Sequence, residues 1–222
     1  MGGTLVNVSL KEGAFMAIYN HLVDKPKNID EFLAFSKQVI KDTFEARTTI
    51  DFDFRSFINI YLRYYNTKLD VSIEEAEDIY QEALFDFEKV DKIEELLTKC
   101  KKENLKLIVL SNTFFSSRAI SKVLDKLGLL KYFDKVVASS ECLVRKPSPI
   151  FFEIGIKEIG LDKNEVMYIG NDYNFDCFGC LLSNIKMVFY NHENYQKYEL
   201  FETIKEIKDY SELLEVDLCQ MF

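Results

Sequence analysis

Residues 105–113, Leu-Lys-Leu-Ile-Val-Leu-Ser-Asn-Thr, decide the fold of this 222-residue chain. Leu105 to Leu110 is a short, nearly all-apolar run, as in a parallel strand covered on both faces. Immediately before it, Asp91 to Asn104 reads as an amphipathic helix carrying Ile93, Leu96, Leu97 and Cys100 on one side. After it the same alternation repeats. Residues 116–128 read as a helix ending at Gly128, a C-cap, and Lys135-Val-Val-Ala138 as a second strand. Residues 149–160 read as a helix ending at Gly160, Val166–Ile169 as a third strand, and Lys186–Tyr190 as a fourth. Strands alternating with helices predict right-handed βαβ units, and so an α/β fold with a Rossmann-like parallel sheet.

The N-terminal region has a different rhythm. Residues 11–88 read as helix after helix. In 28–48, Ile29, Phe32, Leu33, Val39, Ile40 and Phe44 recur near helical spacing, and 53–66 repeats this with Phe54, Phe57, Ile58, Tyr61 and Leu62. Over 72–87, Ser72 ahead of Glu74 and Glu75 suits a helix N-terminus. The expected layout is an α/β core, residues 1–10 and 89–222, interrupted by an all-helical insert, residues 11–88.

The formal net charge of −9 repels nucleic acid and anionic membrane at long range, so neither is an expected partner. There is no apolar run of about 18 residues to span a bilayer. The segment MGGTLVNVSLKEG lacks the layout of a signal peptide, which makes the cytoplasm the expected location. The five cysteines are an odd number, which argues for reduced thiols. Cys177-Phe-Gly-Cys180 matches C-x-x-C, the spacing of a redox pair or half a zinc site. A zinc site needs two more ligands, and the histidines are only His21 and His192, which show no partner spacing. Two small buried side chains on the inner face of a helix are the preferred reading.

In open parallel sheets, ligands bind beyond the carboxyl ends of the strands. There the chain places Ser111-Asn112-Thr113, then Arg145-Lys146-Pro147-Ser148-Pro149, then Gly170-Asn171-Asp172 with Asp176 four residues on. Ser111 and the N–H groups after it can donate to phosphoryl oxygens. Lys146 can offset charge on a transferring group. Asp172 and Asp176 are hard oxygen ligands, or partners of ligands, for Mg²⁺. Two close carboxylates raise each other's proton affinity unless a cation lies between them, which calls for a metal or the lysine.

These motifs resemble the haloacid dehalogenase (HAD) superfamily of phosphatases and related hydrolases over most of the chain. Leu110-Ser-Asn112 is similar to its second motif, Lys146-Pro-Ser-Pro-Ile-Phe151 to its third, and Ile169-Gly-Asn-Asp-Tyr-Asn-Phe-Asp176 to its acidic fourth. The insert at 11–88 is similar to the family's helical cap. The resemblance implies a Mg²⁺-dependent phosphohydrolase acting on a small phosphorylated metabolite. Ser111 and Asn112 would seat the phosphate and Lys146 would stabilise transition-state charge. Asp172 and the backbone carbonyl of Gly2 would hold Mg²⁺, and Asp176 would orient Lys146 or the metal's water shell.

The front of the chain departs from the pattern. The family's first motif, Asp-x-Asp-Gly-Thr-Leu, ends its central strand. Gly3-Thr4-Leu5 matches its end, which puts Gly2 on the second aspartate and the nucleophilic first aspartate before Met1. The expectation is therefore a nucleophile missing from residues 1–222, together with a slot between the strands that would flank the missing one. Two alternatives follow: a non-catalytic phosphate- and Mg²⁺-binding module, or a metal-independent 2-haloacid dehalogenase. Members of the second kind lack a fourth motif of the Gly-Asn-Asp type.

Overall fold

The computed structural model describes residues 1–44, 49–192 and 203–221. The apolar runs become short parallel strands: β3 (Ile108–Ser111) pairs with β4 (Lys135–Ala138), and β5 (Met167–Gly170) with β6 (Lys186–Tyr190). A further strand, β7 (Ile204–Ile207), extends the second group beside β6. Helices α5 (Ile93–Lys102), α6 (Ser117–Lys126) and α7 (Pro149–Glu158) alternate with these strands. Two short helices, α8 (Phe178–Ser183) and α9 (Ser211–Leu214), complete this part. Gly128 and Gly160 both have positive φ, +69° and +64°, where a side chain would be strained, so each ends its helix as expected.

The insert forms α1 (Ala14–Asn20), α2 (Ile29–Phe44), α3 (Phe54–Tyr64) and α4 (Ile73–Leu84). Residues 45–48, the end of the helix expected over 28–48, lie outside the described residues. Ser72 and Glu75 cap α4 reciprocally: the Ser72 hydroxyl accepts from the Glu75 N–H, and the Glu75 carboxylate accepts from the Ser72 N–H at 2.9 Å. The helix expected over 72–87 is too long. It stops at Leu84, and Phe85–Lys89 is a strand, β2, antiparallel to β1 (Val6–Leu10). Both segments alternate apolar and polar residues (Val6, Val8, Leu10; Phe85, Phe87), the period-2 pattern of a strand. The chain thus leaves and re-enters the core through one two-stranded ribbon.

The two parallel groups do not bond to each other. Strands β3 and β5 instead face a common cavity, walled by Val109 and Leu110 on one side and Met167 and Ile169 on the other. Leu96 of α5 and Ile156 of α7 line it as well, and Met1 and Leu5 reach into it. A parallel strand between helices normally has neighbours on both edges. The inner edges of β3 and β5 turn toward this cavity.

Insert and core share one apolar interior. Phe57, Tyr61 and Tyr80 are almost completely buried in the insert, and Phe114 and Phe115, directly after β3, pack among them. The Phe57 and Phe114 ring centroids are 5.4 Å apart. Phe54 and Tyr61 are core residues, whereas Tyr64 is exposed. Glu77 of α4 is buried and accepts hydrogen bonds from both the N–H and the hydroxyl of Ser116, each at 2.6 Å. It also pairs with Arg118 at 3.0 Å, and so ties α4 to the start of α6.

The cysteine pair packs as expected. Cys177 and Cys180 are buried in the cluster that includes Phe151, Phe152 and Phe189. Burial pushes both thiols up, Cys177 to about 12, so neither is an activated thiolate. His21 does have a partner: its Nδ1 lies 2.8 Å from Asp70 Oδ1, a contact made across 49 residues of sequence.

Candidate active site

The carboxyl ends of β3 and β5 bring three motifs together. Ser111, the last residue of β3, is buried. Asn112 follows it, and its side chain clamps the backbone of Lys146. Its Nδ2 donates to the Lys146 carbonyl at 3.0 Å, and its Oδ1 accepts from the Lys146 N–H at 2.8 Å. The sequence pointed to Asn112 as a phosphate contact. That amide also braces the Lys146 loop, with one of its two N–H groups committed to the Lys146 carbonyl.

Lys146 is buried, and its ammonium donates to Asp176 Oδ1 at 2.6 Å and to the Tyr168 hydroxyl at 2.8 Å. Asp176 is held from its other side too: Oδ2 accepts from the N–H of Asn171 at 3.1 Å and of Asp172 at 3.0 Å. Burial by itself would raise the Asp176 carboxyl, but the Lys146 charge and these hydrogen bonds outweigh it and hold it below the ordinary carboxylate value. Asp172 caps the following turn, accepting from the Phe175 N–H at 2.8 Å through Oδ1.

Glycines make this crowding possible. A Cβ on Gly170 would stand 2.4 Å from Asp176 Oδ2 and 2.7 Å from the Tyr168 ring. A Cβ on Gly3 would stand 2.2 Å from the Asn171 amide, and Gly3 also has φ +72°. Thr4 Oγ1 donates to Asn171 Oδ1 at 2.8 Å, so residues 1–5 dock directly on the acidic motif. Burial, and next the Lys146 charge, lower the Met1 amine to about 5. Replacing Gly3 by alanine is expected to dislodge this loop and destabilise the protein by about 1–3 kcal/mol, read by urea denaturation.

The donors suit a hard cation. Mg²⁺ prefers oxygen and usually takes only one or two protein carboxylates. Asp172 Oδ2 joins no hydrogen bond among the described residues, and the bonds that shape the 1–6 loop use the carbonyls of Met1 and Val6 and leave that of Gly2 aside. Gly3 packs against Asn171, and each of them is the chain neighbour of one of these groups. A separate group, Glu103, Asp217 and Cys219, lies mostly exposed elsewhere.

The family model for haloacid dehalogenase-like hydrolases matches residues 3–190. The chain belongs to this family. Over 70 residues this family member is 30% identical to glyceraldehyde 3-phosphate phosphatase of Methanothermobacter thermautotrophicus, a match covering 32% of the chain and 31% of that protein. The chain spans less than half the length of the curated relatives it matches. Among solved structures, it resembles a HAD phosphatase from Thermococcus onnurineus with TM-score 0.64 and 19% identity, covering 96% of this chain and 93% of that one. It also resembles the HAD-hydrolase YfnB from Bacillus subtilis bound to magnesium, with TM-score 0.55, 17% identity and the same coverage. At such identities the likeness is one of fold.

Two features of this HAD-like site escaped the sequence. Tyr168 read only as a strand residue, although a tyrosine in an apolar strand needs a partner for its hydroxyl. The clamp by Asn112 carried no signal, because it joins backbone atoms 34 residues away.

Proposed function

We propose that this chain is the phosphate- and Mg²⁺-binding body of a HAD-type phosphohydrolase acting on small phosphoesters. One observation supports the reading: the Asn112 clamp on Lys146 and the Lys146–Asp176 pair draw the loops that carry Ser111, Lys146 and Asp172 together, with Thr4 hydrogen-bonded to Asn171 beside them. The Ser111 hydroxyl and the Asn112 amide seat the phosphoryl oxygens. Lys146, fixed by Asp176, offsets the charge that grows on those oxygens in the transition state. Asp172 and the Gly2 carbonyl would hold Mg²⁺, which clamps and neutralises the phosphoryl group when bound. The helical segment from α1 to α4 acts as the cap over the substrate, a small phosphorylated metabolite. The protein names among the relatives, a phosphatase and a magnesium-bound hydrolase, point the same way.

Residues 1–5 hold no carboxylate, so none of their side chains can form an aspartyl-phosphate. Two measurements test this reading. Isothermal titration of the chain with inorganic phosphate is expected to give saturable binding strengthened by Mg²⁺, with Asp172→Asn losing most of the metal's effect, about tenfold. A chain lengthened before Met1 by an apolar strand ending Asp is expected to hydrolyse a panel of phosphoesters with Mg²⁺, and its Asp-to-Asn control to be inert. Absence of both phosphate binding and turnover would remove the proposal.

A further inference from the structure

The Lys146 ammonium has three N–H bonds to place, and a lysine on a four-carbon stem does not fix their directions alone. Asp176 Oδ1 takes one at 2.6 Å and the Tyr168 hydroxyl a second at 2.8 Å. The same hydroxyl donates back to Asp176 Oδ1 at 3.1 Å, closing a three-membered ring of hydrogen bonds. We propose that Tyr168 is a positioning residue, which together with Asp176 turns the third N–H of Lys146 toward the phosphoryl group.

The surroundings hold the phenol in place. Tyr168 and Gly170 point to the same face of β5, and the absence of a side chain at Gly170 lets the Tyr168 ring and the Asp176 carboxylate close up. The ring packs edge-on against Phe152, with centroids 5.2 Å apart, and Phe152 is itself seated over Gly179. Part of the ring borders the cavity between β3 and β5, so Tyr168 keeps some exposed surface while its hydroxyl is engaged. Burial first, and then Asp176, keep the phenol protonated, so it can donate and accept at once. Phenylalanine at 168 keeps the ring and its packing. It leaves the Lys146–Asp176 pair intact but releases one N–H of the ammonium.

The direction of the third N–H rests on the phosphohydrolase reading; the grip on Lys146 does not. The experiment therefore has two readouts on the full chain and on Tyr168→Phe. The first is the Lys146 ammonium signal in ¹H–¹⁵N NMR. It is expected to exchange slowly in the parent and at least tenfold faster in Tyr168→Phe, at unchanged melting temperature. The second is titration with inorganic phosphate and Mg²⁺, expected to weaken about tenfold in the variant, which is ~1.4 kcal/mol. An ammonium signal unaffected by Tyr168→Phe overturns the proposal. An altered signal with phosphate binding unchanged within twofold overturns the part concerning the third N–H. A parent that binds no phosphate, but whose ammonium signal depends on Tyr168, sinks the phosphohydrolase reading and leaves the positioning role standing.

Discussion

Replacing Lys146 by methionine is expected to destabilise the protein by about 3–5 kcal/mol, because it leaves the buried Asp176 without its cation. Both partners are held further: the lysine also reaches Tyr168, and the carboxylate takes two backbone N–H groups. A second change, Asp176→Asn on the Lys146→Met background, is expected to restore part of the loss, since no uncompensated charge then stays buried. Urea denaturation of the two single variants and the double variant measures this coupling. A double variant as unstable as the two losses added together would refute the pairing.

The same pair sets a pH dependence. In the parent the folded Asp176 carboxyl lies below its unfolded value of 3.8. Its stabilising contribution is therefore fully present above pH 3.8 and is lost as pH falls through the lower folded value. In Lys146→Met burial acts without the lysine, and the carboxyl shifts upward instead. The native state then binds more protons than the unfolded state, so the variant gains stability as pH falls toward 4. The gap between parent and variant should be widest near neutrality and narrow toward pH 4, in melts followed by circular dichroism.

Phe114→Ala is expected to remove a comparable amount, about 3–5 kcal/mol, for a different reason. Phe114 is buried and meets the rings of Phe44, Phe54, Phe57 and Tyr80 in the insert, with centroids between 5.0 and 6.2 Å away. Truncation leaves a hole where a helical segment meets the loop after β3, and a close-packed interior collapses into such holes only partly. The change also reaches the site. Phe114 lies three residues beyond Ser111, so the loop that would receive phosphate is anchored in the interior of the insert. Phosphate affinity should fall together with stability. Phe32→Ala, in the same insert but on α2, should lower stability while leaving that affinity within about twofold, since it does not border the loop. Equal losses of affinity in both variants would argue against a local anchor.

Much of the arrangement was open to reading from the residues in order. The runs at 135–138 and 186–190 became β4 and β6 with the same bounds, and Leu105–Leu110 ended in β3. Period and length marked them, because a strand covered on both faces must be apolar throughout. Ser72 announced α4, because a helix start leaves N–H groups that only nearby acceptors satisfy. The ribbon of β1 and β2 was missed although both segments alternate. Each is too short for its period to outweigh the helices beside it, and the pairing joins residues at least 75 positions apart, as with Leu10 and Phe85.

The sequence by itself marked the alternation of β3 to β6 with α5 to α7, the run of helices α1 to α4, the packing role of Cys177 and Cys180, and the three motifs that end the strands. These follow from local spacing and from which side chains water rejects. Only the tertiary structure decided what each polar group at the site does. Asn112 holds the Lys146 backbone, Asp176 and Tyr168 share the Lys146 ammonium, and Gly3 and Thr4 rest on Asn171. Those roles depend on hydrogen bonds a few ångströms long between residues distant in sequence, 167 positions for Thr4 and Asn171. No local pattern encodes which of several lone pairs and N–H groups will meet once the chain has closed around them.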